Sequence, residues 1–309
     1  MKKYLFPILL ILVLMMSACS NNSSKNSDNG SSKSDTKEPT TITYKSENGD
    51  IKVPAHPKRV VVLSSFAGNV MQLGVPIVGV DAWSKANPEF KDKLKDAKVV
   101  TEDDLEKIIE LKPDLIIGLS TIKDVDKLNK IAPTVTFTYA KVDYLTQHIE
   151  IGKLLNKEKE AQAWVDDFKQ RAATTGDEIK NKIGKDATVS VIENFGKDLY
   201  VFGDHWGRGT EVLYQAMKLK MPEKVKKMTD KDGYYALSQE VIGDYAGDYL
   251  ILSKNSDGDT SFMKSETYKN IPAVKNGHVY EADAKAFYFN DPLTLDYQLE
   301  FFKKNFLGK

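Results

Sequence analysis

The segment KEKEAQAWVDDFKQRAATTGDEIKNKI, residues 157–183, decides how this chain is organised. Ala161, Trp164, Phe168, Ala172, Ile179 and Ile183 recur at helical spacing within it. A helix of that length spans about 40 Å, the width of a domain. Gly176 weakens it locally, by about 1 kcal/mol relative to alanine. Trp164 reads as a packing residue rather than a ligand contact. So long a helix between two strand-helix halves reads as a rigid strut.

Before the strut, Thr43-Tyr44 and Ile51-Lys52-Val53 flank an Asn-Gly turn and predict a small hairpin. Continuous apolar runs then follow at Arg59–Leu63, Ile77–Val80, Asp114–Gly118 and Thr134–Tyr139. Such runs suit buried parallel strands. Helical stretches separate them: Ala67–Leu73, Asp103–Leu111 with Thr101 as its cap, and Lys123–Ile131. Alternating strands and helices argue for a parallel sheet covered on both faces. Ligand sites in such sheets lie beyond the carboxyl ends of the strands. Tyr139 ends one of these strands, which suits either a cleft-facing ring or an edge ring packed on a helix.

After the strut the pattern resumes. Strands are expected at Thr188–Ile192, Leu199–Phe202, Asp248–Ser253 and Val279–Ala282. Helices are expected at Glu211–Met217, at Gln239–Tyr245 behind Ser238, and at Thr294–Phe306. The loop before the last helix carries Phe287, Tyr288 and Phe289 in a row, and three successive rings cannot all face one way. An internal echo links the halves. Glu106 and Glu240 each stand near the start of a helix that feeds a buried strand. That placement suits dipole-favoured surface charge, and its repetition also suits a paired role.

The run Tyr200-Val-Phe-Gly-Asp-His-Trp-Gly-Arg-Gly209 combines aromatic rings, an imidazole and a guanidinium with three glycines. Glycine permits positive φ and close approach of a ligand. Arginine beside rings suits a bulky ligand rich in oxygen. The same run also fits a hairpin end before a helix N-terminus, with Trp206 as ordinary core.

The N-terminus has two lysines, a short apolar core (Tyr4–Met16) and small residues ahead of Cys19, the only cysteine. This reads as a secretory signal over residues 1–18. Residues 19–40 are rich in Ser, Asn, Lys and Asp, and read as a disordered tether. The domain plan is therefore a first lobe at 41–142, a short helix and the strut at 143–184, and a second lobe at 185–309. Lys+Arg and Asp+Glu are equal at 44 each, so charge makes no case for nucleic acid. Phosphate-binding glycine motifs, a Gly-x-Ser-x-Gly elbow and metal-ligand histidine spacing are all missing from the sequence. An enzyme is the weak reading, although a surface hydrolase or reductase stays open as an alternative.

Gly203-Asp-His-Trp-Gly-Arg-Gly-Thr-Glu-Val-Leu-Tyr214 closely resembles the hydroxamate siderophore-binding lipoproteins of Gram-positive iron importers. So do Pro54–Arg59, Glu106–Ile117, Lys130–Val135, Tyr245–Tyr249 and Asn290–Asp296. The resemblance implies an α/β fold of two lobes, with mainly parallel sheets flanked by helices and joined by one long helix. It implies that Arg208 hydrogen-bonds the iron-ligating oxygens of an iron(III)-hydroxamate. Trp206, Tyr200 and Tyr139 would pack on the siderophore, with Tyr288 where relatives often carry tryptophan. Glu106 and Glu240 would dock an ABC permease with its ATPase, and lipidated Cys19 would anchor a monomer to the outer face of the cell membrane. No metal ligand and no cofactor are implied, because the siderophore itself supplies six oxygens to the iron. A single arginine favours hydroxamates over highly anionic catecholates. Receptors for haem, cobalamin or a carboxylate or catecholate siderophore are the neighbouring readings.

Overall fold

The computed structural model describes residues 39–309. The expected signal, Cys19 and the expected tether up to residue 38 lie outside the described residues. Pro39–Lys309 forms one compact unit built on two five-stranded sheets.

A hairpin comes first, β1 (Thr41–Ser46) with β2 (Gly49–Pro54), turning at Asn48-Gly49 as expected. The first large sheet contains β3 (Val60–Val62), β4 (Ile77–Val80), β5 (Lys98–Val99), β6 (Leu115–Leu119) and β7 (Thr134–Phe137). Its order is β5-β4-β3-β6-β7 and every pairing is parallel. Helices α1 (Ala67–Gln72), α2 (Ala82–Ala86), α3 (Leu105–Glu110) and α4 (Val125–Asn129) supply the crossovers. The hairpin is clasped to β7, where Asn48 donates to the Thr136 hydroxyl at 3.1 Å and the Thr138 hydroxyl donates to Glu47 at 2.7 Å.

The second sheet contains β8 (Val189–Phe195), β9 (Asp198–Phe202), β10 (Tyr234–Leu237), β11 (Tyr249–Lys254) and β12 (Val279–Asp283), in the order β10-β9-β8-β11-β12. β8, β11 and β12 run parallel, and β9 is antiparallel to both its neighbours. Strand β10 was not anticipated, because Tyr234 to Ala236 is exposed and carries no alternating pattern. Thr101 does not cap α3. Its amide and hydroxyl both donate to the Asp104 carboxylate at 3.0 Å, and the helix begins after Asp104.

The strut is present as α6 (Glu158–Ile183), preceded by α5 (Tyr144–Leu154). Its first turn sends Ala161 into the core under the first sheet, with Val60, Val62 and Ile151. From Trp164 to Ile179 its apolar stripe enters the second core, with Val189, Val191 and Phe302. Trp164 packs as expected. It stacks on Phe168 at 5.0 Å and donates its indole N–H to Asp296 at 3.0 Å. The C-terminal helix (Pro292–Leu307) also spans both halves: Leu293 packs on the first core, while Leu295, Leu299 and Phe302 fill the second.

Gly176 is not a weak point in α6. The π-helical turn Glu211–Ala216, closed where the Met217 amide donates to the Val212 carbonyl at 2.8 Å, lies directly against it. A Cβ at Gly176 would strike the backbone carbonyl of Met217. His148 on α5 is fully buried. Its Nδ1 meets the Asn69 side-chain oxygen at 3.1 Å, and Trp164 faces it edge-on at 5.3 Å. Its Nε2 has no partner, and burial pushes its pKa down to about 4.

Two expectations follow. Gly176→Ala gains about 1 kcal/mol of helix propensity but loses about 1–3 kcal/mol to overpacking, so its urea midpoint falls. The folded pKa of His148 lies below its unfolded value of 6.5, so the unfolded state binds more protons between the two. Its contribution is complete above about pH 6.5 and is lost as pH falls toward 4. His148→Gln flattens the pH dependence of the urea midpoint across that window by about one proton.

Candidate functional site

The cleft lies beyond the carboxyl ends of the parallel strands, between the two sheets. One wall is the segment that leaves β9. After Phe202 the chain turns through Gly207, Arg208 and Gly209, all in the left-handed region, with φ of 69°, 58° and 83°. Glycine takes that conformation freely, but for arginine it costs about 1–2 kcal/mol. The turn is held by the Arg208 amide, which donates to the Phe287 carbonyl at 2.7 Å. A side chain at Gly207 would collide with the carbonyl of Tyr288, so this close approach requires glycine.

Beneath the turn lies Glu211, a fully buried carboxyl. Its Oε1 accepts from the Gly207 amide at 3.0 Å and from Asn290 at 2.9 Å. Its Oε2 lies 3.1 Å from the Thr210 hydroxyl, which also donates to the Gly207 carbonyl at 2.7 Å. One hydroxyl hydrogen cannot serve both oxygens. Burial pushes the Glu211 pKa up despite these bonds.

The Arg208 guanidinium is sandwiched between rings, with Cζ 4.9 Å from the centroids of both Phe202 and Tyr288. Nε and Nη2 donate to the two oxygens of Glu193 at 3.3 and 3.2 Å, and Nη1 donates to the Trp206 carbonyl at 3.3 Å. Glu193 stands near the end of β8, buried, and also accepts from the Ser253 hydroxyl at 2.7 Å. Tyr288 donates no obvious charge to the site: burial pushes its hydroxyl up to about 12, and the oxygen accepts from Asn255 at 3.0 Å.

Rings meet across the cleft at two places. Tyr139, just past β7 in the first half, stands edge-on to Trp206 of the second at 5.7 Å. Trp83, in α2 of the first half, lies 4.9 Å from Tyr288 and stacks on Phe195 at 6.2 Å. Tyr234 completes the second wall, 5.4 Å from Trp206 and 6.0 Å from Tyr200. A cavity of about 420 Å³ is lined by Tyr139, Trp206, Arg208 and Tyr288, with Trp83 and Asp81. An adjoining one of about 250 Å³ is lined by Tyr200, Trp206 and Arg208, with Trp83, Glu193 and Tyr234. A third, of about 310 Å³, lies behind Tyr139 and is bounded by Asn69, Tyr144, Glu211 and Asn290.

The five residues singled out in the sequence thus converge on two adjoining cavities. His205 is turned to the third cavity and pairs with Asp204 at 2.6 Å. Of the aromatic triplet, Phe287 is buried in the second core, Tyr288 lines the cleft, and Phe289 stacks on Phe90 of the first half at 6.0 Å. Sequence reasoning missed Trp83, Glu193 and Tyr234. Two signals were available. Trp83 follows the carboxyl end of an apolar strand, as Tyr139 does, and Glu193 interrupts the apolar run Val-Ser-Val-Ile with a charge. Glu106 and Glu240 are exposed and far from the cavities in the chain, at the first turns of α3 and of the 3₁₀ helix Gln239–Asp244. Among the described residues, no cluster of three or more His, Cys, Asp or Glu side chains is arranged to hold a metal ion.

Two α/β halves joined by a long helix, with a ring-walled cleft between them, define a solute-binding architecture. Residues 60–286 match the periplasmic binding protein family, and the chain belongs to it. Among its relatives it is similar to the iron(3+)-hydroxamate-binding protein FhuD of Bacillus subtilis, 40% identical over 281 residues that cover 89% of each chain. The iron(3+)-hydroxamate-binding protein YxeB of the same organism is 37% identical, over 88% of this chain and 87% of that protein. Among solved structures, FhuD2 of Staphylococcus aureus with bound ferrioxamine B is similar with a TM-score of 0.77 at 40% identity, covering 82% of this chain and 99% of that one.

Proposed function

We propose that this chain captures ferric hydroxamate siderophores outside the cell and delivers them to an ABC importer. The observation that carries the reading is the cleft itself: aromatic walls from both halves around one fixed guanidinium. A hexadentate hydroxamate wraps iron in its own oxygens, leaving a compact object with an apolar skirt and an oxygen face. Arg208 donates to that oxygen face, and Trp206, Tyr200, Tyr139 and Tyr288 pack on the skirt. The relatives named for iron(3+)-hydroxamate binding support the same ligand class. In this reading the siderophore supplies the ligands of the iron, and the role of the chain is binding rather than turnover.

Delivery is assigned to Glu106 and Glu240. In a parallel α/β unit the N-terminus of a helix lies at the carboxyl end of the preceding strand, the side on which ligands bind. Helix α3 follows β5, and the 3₁₀ helix follows β10, which runs in the same direction as β8. Both glutamates therefore stand on the cleft side of the molecule, one in each half. Each is accompanied by an exposed apolar side chain, Ile109 (56% exposed) and Val241 (37%). A carboxylate beside an apolar contact suits a basic socket on a permease. Lipidated Cys19 and the segment to residue 40 would keep a monomeric receptor at the outer membrane face, within reach of that permease.

Tryptophan fluorescence should fall saturably when ferrioxamine B or ferrichrome is added. Arg208→Ala and Trp206→Ala should each weaken binding about tenfold or more, equivalent to about 1.4 kcal/mol. Unchanged affinity in both variants would remove the site assignment. The double substitution Glu106→Ala with Glu240→Ala should leave binding intact and abolish most siderophore-dependent iron uptake in cells, whereas normal uptake would end the docking role.

A further inference from the structure

The ligand cleft contains an ion pair with a buried carboxylate. Among the described residues, Arg208 is the only cationic side chain lining the two adjoining cavities that share it. Its positive charge does not stand alone. The guanidinium is joined side-on to Glu193, through Nε at 3.3 Å and Nη2 at 3.2 Å, and the carboxylate is 1% exposed. A side-on pair of this kind fixes the plane of the guanidinium. Nη1 gives one further hydrogen to the Trp206 carbonyl. An arginine has five N–H groups. Three are thereby committed, and one remains on each terminal nitrogen. The Arg208 side chain is 16% exposed, and it lines the cleft.

Two further carboxyls stand nearby, Asp81 in the lining of the first cavity and Glu211 in that of the third. Burial pushes both Asp81 and Glu211 up, toward their neutral forms. The Arg208–Glu193 pair thus offers two hydrogen-bond donors on a guanidinium of fixed plane and no net charge of its own. We propose that Glu193 is a specificity-determining residue: by pairing side-on with Arg208 it aims the guanidinium fork at two neighbouring oxygens of the ligand and cancels its charge, so that ferric complexes are chosen by their oxygen face and not by their net charge. The proposal rests on the ferric hydroxamate reading above. It makes Glu193 a positioning residue, acting on the ligand through Arg208.

An isostructural charge series separates orientation from charge. Ferrioxamine B carries a pendant ammonium, its N-acetyl derivative is neutral there, and its N-succinyl derivative is anionic, while the iron-hydroxamate core is the same in all three. With the wild-type protein the three dissociation constants, measured by fluorescence at low ionic strength, should agree within about threefold, because a neutral site gives only a weak Coulomb term across a wet cleft. In Glu193→Gln the uncompensated Arg208 should make the anionic ligand bind about threefold or more tighter relative to the cationic one, and the difference should shrink in high salt. Glu193→Asp should restore the wild-type ratio even if all three affinities fall.

A purely structural role for Glu193 predicts that Glu193→Gln weakens the three ligands by one common factor, and that result overturns the proposal. So does a strong preference of the wild-type protein for the anionic ligand, which needs no variant to fold. Failure of the wild-type protein to bind any of the three sinks the ferric hydroxamate reading instead, and the two failures are therefore distinguishable.

Discussion

The bond from the Arg208 amide to the Phe287 carbonyl is the contact on which the cleft depends. It holds a non-glycine residue in the left-handed region, at a cost of about 1–2 kcal/mol. A hydrogen bond of this kind returns about 1 kcal/mol, and the guanidinium pairing with buried Glu193 adds to the restraint. The acceptor is rigid because Phe287 is fully buried among Phe301, Phe302 and Tyr297. The second core thus reaches the ligand surface through one main-chain contact. Asn290, three residues on, ties the same segment to Glu211 beneath the turn, and Gln298 of the C-terminal helix donates to the Phe287 and Phe289 carbonyls at 3.2 and 3.1 Å. The segment 287–290 is therefore fixed from below and presents a ready surface to the turn.

Under the cleft, paired carboxyls stand beside buried polar atoms without a partner, the Gln298 side-chain oxygen and His148 Nε2 among them. Asp291 caps the C-terminal helix, accepting from the amides of Leu293 and Thr294 and from the Thr294 hydroxyl, yet burial still pushes it up to about 6. Glu211 is raised in the same way. A site lined by such groups can exclude water without stranding charge, and the rings that meet across it gain from that dryness.

The strut was legible in the sequence because a stripe at helical spacing over more than 20 residues has few alternatives. The parallel strands of the first half were legible for a similar reason: fully buried strands read as unbroken apolar runs. Arg208 and Trp206 stood out because three glycines surrounded them. Glu193 did not, since the meaning of a lone carboxylate in a strand depends on a partner 15 residues away in the chain. Trp83 was hidden for a related reason. Its partners Phe195 and Tyr288 come from the other half of the molecule, and no local pattern reports a contact across a cleft. Gly176 carried the opposite lesson: propensity describes an isolated helix, whereas the glycine here answers to a backbone packed against it.

The two halves are connected twice, each time by an α-helix. Helix α6 leaves Ala161 in the first core and runs its length along the second. The C-terminal helix returns, with Leu293 in the first core and its later turns in the second. Asp296 couples them, accepting from the Trp164 indole at 3.0 Å and from Arg171 at 2.6 Å. A body attached at one point can swing about many axes, but one attached at two linked points retains mainly the axis that passes through both. The doubled link therefore favours twisting about that axis over wide opening. Adaptation to ligands of different bulk then falls to torsions of the cleft rings, Trp83 and Tyr139 above all, which are the more exposed members of the two ring pairs.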